Sequence, residues 1–178
     1  VIYVGTNDGI LHMIDVDDGS ERWGFIPDEV LPTLKTIALD NQHDYTVDGR
    51  MLAEDIYFRG GGTQAWKTML YYGLRRGGDV FYAMDATDAG NQPSVLWKFK
   101  DADYSGQSWA KPVAGQIRYM DGENLVQRWV TVFAGGFAFN PEVDTDTRGK
   151  AVFVVDASTG DLLWMAGYNS SEGAEDEE

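Results

Sequence analysis

The sequence repeats one pattern of segments three times, and this repetition limits the possible folds more than any other feature. Each copy has an apolar segment that ends at an aspartate, then a turn, then a segment that ends at a tryptophan. The aspartates are Asp15, Asp85 and Asp156, and the tryptophans are Trp23, Trp97 and Trp164. A long, nearly regular period of β-type segments with glycine and aromatic marks predicts an array of similar sheets.

Each copy is interpreted as three strands, because its turn carries residues that reverse a chain. Residues 17–19, 88–90 and 158–160 combine glycine with aspartate, alanine, serine or threonine, and glycine supplies a positive φ. A further predicted strand precedes the second copy at 45–58 and the third copy at 108–119. The repeat therefore predicts four strands per unit, which is the blade of a β-propeller.

The predicted fold class is all-β: a partial β-propeller with four-stranded blades and one short helix between blades. About two and a half blades are predicted, and propellers close with about four to eight, so we expect a part of a longer protein. The predicted parts of the propeller, residues 1–167, are a blade remnant at 1–25, a helical insert at 27–39, and blades at 44–100 and 107–167. Pro32 is expected to divide the insert into two short turns. Residues 168–178 are expected to form an acidic loop or tail.

The composition excludes several classes of protein. The net charge of −15 would repel the phosphates of nucleic acid, so a nucleic-acid partner is not expected. The chain has no cysteine, which excludes disulfides and thiol chemistry. No segment has the roughly 20 consecutive apolar residues of a membrane span. The acidic end is interpreted as a solvated tail, with binding of cations or a basic partner as the alternative.

The repeated residues are expected to be structural. Trp23, Trp97 and Trp164 should dock between neighbouring blades, because an indole buries a large apolar area. Asp15, Asp85 and Asp156 should accept hydrogen bonds from backbone N–H groups of their turns. Asp48 and Asp55 are placed at opposite ends of one leading strand. There they are expected either to form structural hydrogen bonds or to face water or an ion in the channel.

One short segment is similar to the start of a calcium loop. Asp144 and Asp146 are spaced as the first two ligands of that motif, so they are the candidate metal residues. Arg148 stands at a ligand position and Val155 stands where the motif has glutamate. Calcium is therefore expected to bind weakly at this segment, if the segment acts alone.

Signatures of enzymes are sparse in this sequence. His12 is predicted within a strand and His43 after the helix, and neither has a partner at the spacing of a metal site or a catalytic triad. We therefore expect no catalytic residue and no enzymatic activity.

Several ordered segments together resemble one family. They are 45–49, 53–58, 66–70, 73–78, 82–85, 96–99 and 152–160, and the most specific stretch runs from Val47 to Asp85. Residues 1–167 resemble the C-terminal β-propeller of the PilY family of type IV pilus adhesins and biogenesis proteins. The resemblance implies an extracellular protein at the pilus tip or outer bacterial surface. It also implies minor pilins as partners, support of pilus assembly, opposition to retraction and contact with host or abiotic surfaces.

The resemblance also implies calcium as a cofactor. Family members bind it in an aspartate-rich loop that would normally follow the last blade, whereas this sequence continues there with an acidic run. Two other functions stay open, since they share the blade-closing pattern. One is a fragment of a pyrroloquinoline-quinone-dependent dehydrogenase, and the other is a periplasmic scaffold for outer-membrane assembly.

Overall fold

The computed structural model describes residues 1–40, 43–140 and 145–168, which form three antiparallel sheets, a two-stranded hairpin and one α-helix. Sheet I contains β1 (Ile2–Gly5), β2 (Leu11–Ile14) and β3 (Glu21–Phe25). Sheet II contains β4 (Met51–Gly60), β5 (Thr63–Gly73), β6 (Phe81–Asp85) and β7 (Ser94–Phe99). Sheet III is built from β8 (Val113–Asp121), β9 (Asn124–Ala134), β12 (Ala151–Asp156) and β13 (Leu162–Gly167), with the hairpin of β10 (Ala138–Asn140) and β11 (Thr145–Arg148) inserted after β9. The all-β class is therefore confirmed.

Sheets II and III have the same strand order. Each runs from a long hairpin, β4–β5 or β8–β9, through the strand that ends at the aspartate to the strand that carries the tryptophan. In β6 every residue from Phe81 to Met84 is buried, as an apolar run covered on both faces should be. No helix within the described ranges is long and apolar enough to cross a membrane.

The leading strands start later than the sequence predicts. β4 begins at Met51 instead of residue 45, and β8 begins at Val113 instead of residue 108. The earlier residues have other hydrogen-bond partners: the N–H of Val47 donates to the carbonyl of Thr6, in the loop after β1 of sheet I, at 3.3 Å. Ser108 is fully buried, and its hydroxyl accepts from the N–H of Leu74 at 2.7 Å. The residues just before β4 and β8 therefore connect neighbouring sheets and do not extend these two strands.

The helical insert packs against sheets I and II. A 3-10 turn (Asp28–Val30) leads directly into α1 (Leu31–Asp40). Pro32 lies in the first turn of α1, where its missing N–H has no cost, so it does not divide the helix as expected. Val30 is buried. Leu34 packs closely against Gly9, because a Cβ added at Gly9 would come within 2.3 Å of the Leu34 side chain.

Two separate apolar cores lie on the two sides of sheet II. The first joins sheets II and III; its buried members are Ile56, Phe58, Met69, Tyr71, Phe81, Ala83, Trp97, Phe99, Phe133, Ala151, Phe153, Val155 and Ala157. The second joins sheets I and II with the helix; its buried members are Leu11, Val30, Val47, Leu70, Tyr72, Leu74, Val80, Tyr82, Met84 and Ala86. Alternate residues of β5 and β6 enter opposite cores, because successive side chains of a strand point to opposite faces.

Candidate functional site

The three turn aspartates share one geometry. Each carboxylate accepts a hydrogen bond from the backbone N–H two residues later and contacts one cationic side chain. The N–H donors are those of Asp17, Thr87 and Ser158, at 2.9, 3.1 and 2.8 Å. The cations are Arg22 for Asp15, Lys67 for Asp85 and Arg128 for Asp156. The aspartates thus fix their turns to a neighbouring strand, and the sequence pattern had not indicated the cations.

Hydrogen bonding lowers the pKa of two of these carboxylates, Asp15 and Asp85. The N–H of Asp17 and the guanidinium of Arg22 lower the pKa of Asp15. Burial acts to raise the pKa of Asp85, but hydrogen bonds from Lys67 and Thr87 outweigh it, so that pKa lies below its ordinary value. Ionised carboxylates that accept backbone hydrogen bonds stabilise turns and have no proton to transfer at neutral pH.

Trp97 lies between sheets II and III. Its indole is 7% exposed, and its Nε1–H donates to the carbonyl of Ala157 at 3.2 Å. The hydroxyl of Tyr71 donates to the same carbonyl at 2.9 Å. Burial raises the pKa of the Tyr71 phenol well above its ordinary value, so this donor keeps its proton. Gly160 packs on the indole, since a Cβ there would come within 2.8 Å of the ring.

The other two tryptophans have different surroundings. Trp23 is half-buried beside the second core, with its ring centroid 5.9 Å from that of Tyr3. Its Nε1–H is buried and has no hydrogen-bond partner within the described ranges. Trp164 is 55% exposed, which differs from the expected docking, because no described sheet covers that face of sheet III.

The remaining aspartate candidates are separate from one another. Asp48 precedes β4 and pairs with Arg75 at 3.3 Å, whereas Asp55 lies in the middle of β4 and accepts from the Thr68 hydroxyl at 2.6 Å. The predicted placement at opposite ends of one strand is therefore wrong, because β4 starts after Asp48.

The predicted calcium residues fall mostly outside the described part of the chain. Asp144 lies outside the described residues, as does the predicted acidic tail beyond Tyr168. The backbone of Asp146 belongs to β11, where it pairs with Phe139. Calcium at this segment stays a prediction.

His12 has partners that the sequence spacing did not indicate. Its Nε2 lies 3.1 Å from the hydroxyl of Thr6, and its Nδ1 lies 3.4 Å from a carboxylate oxygen of Glu21. The Thr6 hydroxyl also lies 3.0 Å from the carbonyl of Ile10, across the loop that joins β1 and β2. These contacts connect the loop to β3 and lie away from the clefts described below.

A cleft lies between sheets II and III, beside the turn that follows Asp156. We call it the aromatic cleft; its volume is about 470 Å³, and it is lined by Tyr57, Arg59, Trp66, Gln116, Val126, Gln127, Arg128, Trp129, Asp156, Ser158, Thr159 and Asp161. Trp66 pairs with Tyr57 across the β4–β5 hairpin. Trp129 comes from β9, so the cleft depends on the packing of two sheets. No local pattern of the sequence brings Trp66 and Trp129 together, because they belong to different sheets.

Comparison with known proteins gives one consistent result. No protein-family model matches the chain, whereas individual proteins do. A type IV pilus biogenesis factor PilY1 homologue of Xylella fastidiosa is 33% identical over 168 residues, which is 91% of this chain and 10% of that protein. Type IV pilus biogenesis factor PilY1 of Pseudomonas aeruginosa PAO1 is 32% identical over 166 residues, 89% of this chain and 13% of that protein.

The fold is also similar to a solved structure. The crystal structure of the Pseudomonas aeruginosa PilY1 C-terminal domain matches with a TM-score of 0.65 and 28% sequence identity. The match covers 97% of this chain and 31% of that chain. The chain therefore spans about a tenth of the curated relatives' length and about a third of the solved domain.

Proposed function

This chain is a member of the PilY family, related to the C-terminal domain of PilY1 type IV pilus biogenesis factors, and on that premise we propose that it is a non-enzymatic domain of pilus biogenesis and adhesion. It supports pilus assembly together with minor pilins, opposes retraction and contacts host or abiotic surfaces. It works on the extracellular side, at the pilus tip or the outer bacterial surface. The observation that carries the proposal is the similarity to PilY1 proteins in sequence and in fold over most of this chain.

The arrangement that we propose for this domain is a β-propeller. Sheets II and III have the same strand order and are joined face to face through an aromatic core. The pair Tyr71–Trp97 recurs as Tyr3–Trp23, with ring centroids 5.8 and 5.9 Å apart and interplanar angles of 39° and 38°. Each pair lies within one sheet, and its recurrence in sheets I and II supports an array of equivalent units, because the blades of a propeller repeat one packing arrangement.

This architecture suits a role in binding and mechanical support. The turn aspartates fix their turns, and the buried tryptophan links sheets II and III, through hydrogen bonds to the backbone. The aromatic cleft presents side chains suited to contact with a ligand, which fits an adhesive role. Calcium remains part of the proposal, with Asp144 and Asp146 as the candidate ligands in this chain.

Deletion of residues 44–167 from the native gene tests the proposal. We expect less surface piliation and less twitching, because sheets II and III are lost, while no soluble enzymatic activity disappears. A strain with Gln64→Ala is the matched control, since that side chain is exposed on the β4–β5 hairpin outside the aromatic cleft and its loss should leave piliation and twitching intact. Immunoblots of sheared pili and of whole cells separate loss of assembly from loss of protein. Normal piliation, adhesion and motility in the deletion strain, with loss of a quinone-dependent oxidation, would favour the dehydrogenase instead.

A further inference from the structure

We propose that the aromatic cleft binds a neutral oligosaccharide. The inference deepens the proposed surface contact and rests on it, because it names the chemistry that this face of the domain would recognise. Sugars present C–H faces that stack on aromatic rings and hydroxyl edges that bond to amides, carboxylates and guanidinium groups. The cleft offers both kinds of partner, and its volume of about 470 Å³ lies within the roughly 300–1,000 Å³ of small-molecule sites.

Trp66 supplies the stacking surface. Its side chain is 63% exposed, although it is one of the largest apolar groups in the chain. The ring is nevertheless held in place by two edge-to-face contacts, with Tyr57 at 5.8 Å and with Trp129 at 6.3 Å. A ring that is fixed before binding loses little conformational entropy when a ligand stacks on it. Exposed area and fixed orientation together favour a stacking platform.

The polar rim supplies hydrogen bonds without a net charge. Gln116 and Gln127 are joined by one amide hydrogen bond of 2.5 Å, which leaves their remaining donors and acceptors for a ligand. Four charged residues line the cleft: Arg59, Arg128, Asp156 and Asp161. Two cations and two carboxylates balance, and Arg128 already faces Asp156 at 3.5 Å. A balanced rim selects for hydroxyl groups over an ionic ligand.

A second hollow makes room for more than one sugar ring. It has a volume of about 210 Å³ and is lined by Asp55, Trp66, Lys67, Thr68 and Thr87. Trp66 lines both hollows, so the two hollows meet at this residue. A chain of linked rings can therefore lie across the indole and reach hydroxyl and charged groups on both sides. This favours an oligosaccharide over a single sugar.

Binding of sugars by the purified full-length protein tests the inference. The probes are an array of neutral oligosaccharides, followed by calorimetry with those retained, and a heparin octasaccharide as the charged comparison. We expect millimolar or tighter binding of neutral probes, and Trp66→Ala should weaken it at least about tenfold, as for other exposed aromatic anchors. Gln127→Ala should weaken it less. Gln64→Ala, an exposed amide of the same hairpin outside the cleft, should leave affinity unchanged.

The outcomes separate this inference from the proposed function. Unchanged thermal unfolding of the Trp66→Ala protein shows that a loss of affinity is local. Absence of binding to every neutral probe would overturn the inference. Binding of heparin that depends on Arg128 and not on Trp66 would overturn it too. In either case, loss of piliation on deleting residues 44–167 would still support the pilus function, because the array measures binding by protein alone.

Discussion

The two faces of sheet II are covered in different ways. Towards sheet III the contact is direct and aromatic: the rings of Phe81 and Phe133 stack with centroids 4.1 Å apart, and Phe99 lies 4.9 Å from Phe153. Towards sheet I the helix intervenes. The strands of sheet I have only four or five residues, so that sheet offers a smaller apolar face than the strands of sheet III. The 3-10 turn before α1 supplies further apolar surface through the buried Val30.

The helical side is also the more polar one. Tyr82 stacks on Tyr72 with centroids 5.2 Å apart, and its hydroxyl donates to the carboxylates of Asp28, at 2.9 Å, and Glu29. Lys98 contacts both carboxylates and lowers the pKa of Asp28. The same repeat pattern has therefore produced one interface built mainly from aromatic rings and one in which ionised side chains also take part. Interfaces of the first kind lose stability mainly through cavities, and interfaces of the second kind mainly through unpaired polar groups.

Of the changes considered, replacing Trp97 or Trp23 should give the largest difference in free energy of unfolding between the two sides of sheet II. Trp97→Ala should lower the free energy of unfolding by about 3–5 kcal/mol, the range for emptying a large aromatic site. Trp23→Ala should cost less, because its indole is only half-buried and its Nε1–H makes no hydrogen bond within the described ranges. Denaturant unfolding of the full-length protein measures both, with the exposed Trp66→Ala as the mild control. Equal losses for Trp97 and Trp23 would mean that the two interfaces are equivalent.

Two matched glycines isolate the packing on Trp97. Gly19 and Gly160 each lie four residues after a turn aspartate, with φ of 72° and 77°. Alanine at either position should cost about 1 kcal/mol for the positive φ. At 160 the new methyl group would also meet the Trp97 ring, which adds about 1–3 kcal/mol, whereas nothing lies within 4 Å at 19. Thermal unfolding of the two variants should therefore differ. The same shift in both would show that the turn at 158–160 does not press on the indole.

The smallest expected effect concerns the polar interface. Tyr82→Phe keeps the stacked ring and removes the hydroxyl that bonds Asp28 and Glu29. A loss of about 1 kcal/mol is expected, because Lys98 still partners both carboxylates. Tyr72→Phe is the control, since the buried Tyr72 hydroxyl has no hydrogen-bond partner within the described ranges. Chemical denaturation should leave that control unchanged or slightly stabilised. A larger loss for Tyr72→Phe than for Tyr82→Phe would contradict the assignment of the stabilising hydrogen bonds to the Tyr82 hydroxyl.

The sequence predicted the elements whose signals are local. The apolar run of β6 and the turn residues at 158–160 follow directly from residue type, because burial on both faces and a positive φ each require particular side chains. The position of the helix, between the first two sheets in chain order, was also predicted because its signal is local. The later start of β4 was not predicted. This boundary depends on whether residues 45–49 form hydrogen bonds with β5 or with the segment after β1, and the residue types are compatible with either partner.

The sequence by itself determined a repeated all-β architecture, because periodic apolar segments, turn glycines and aspartates are read along the chain. It did not separate the three equivalent tryptophans. Tertiary structure alone decided that Trp97 is buried and Trp164 is exposed, since burial depends on whether another sheet covers that face. It also decided the aromatic cleft, which brings Trp66 of one sheet against Trp129 of the next. Contacts between residues so distant in sequence depend on the register and packing of whole sheets, and no local pattern encodes them.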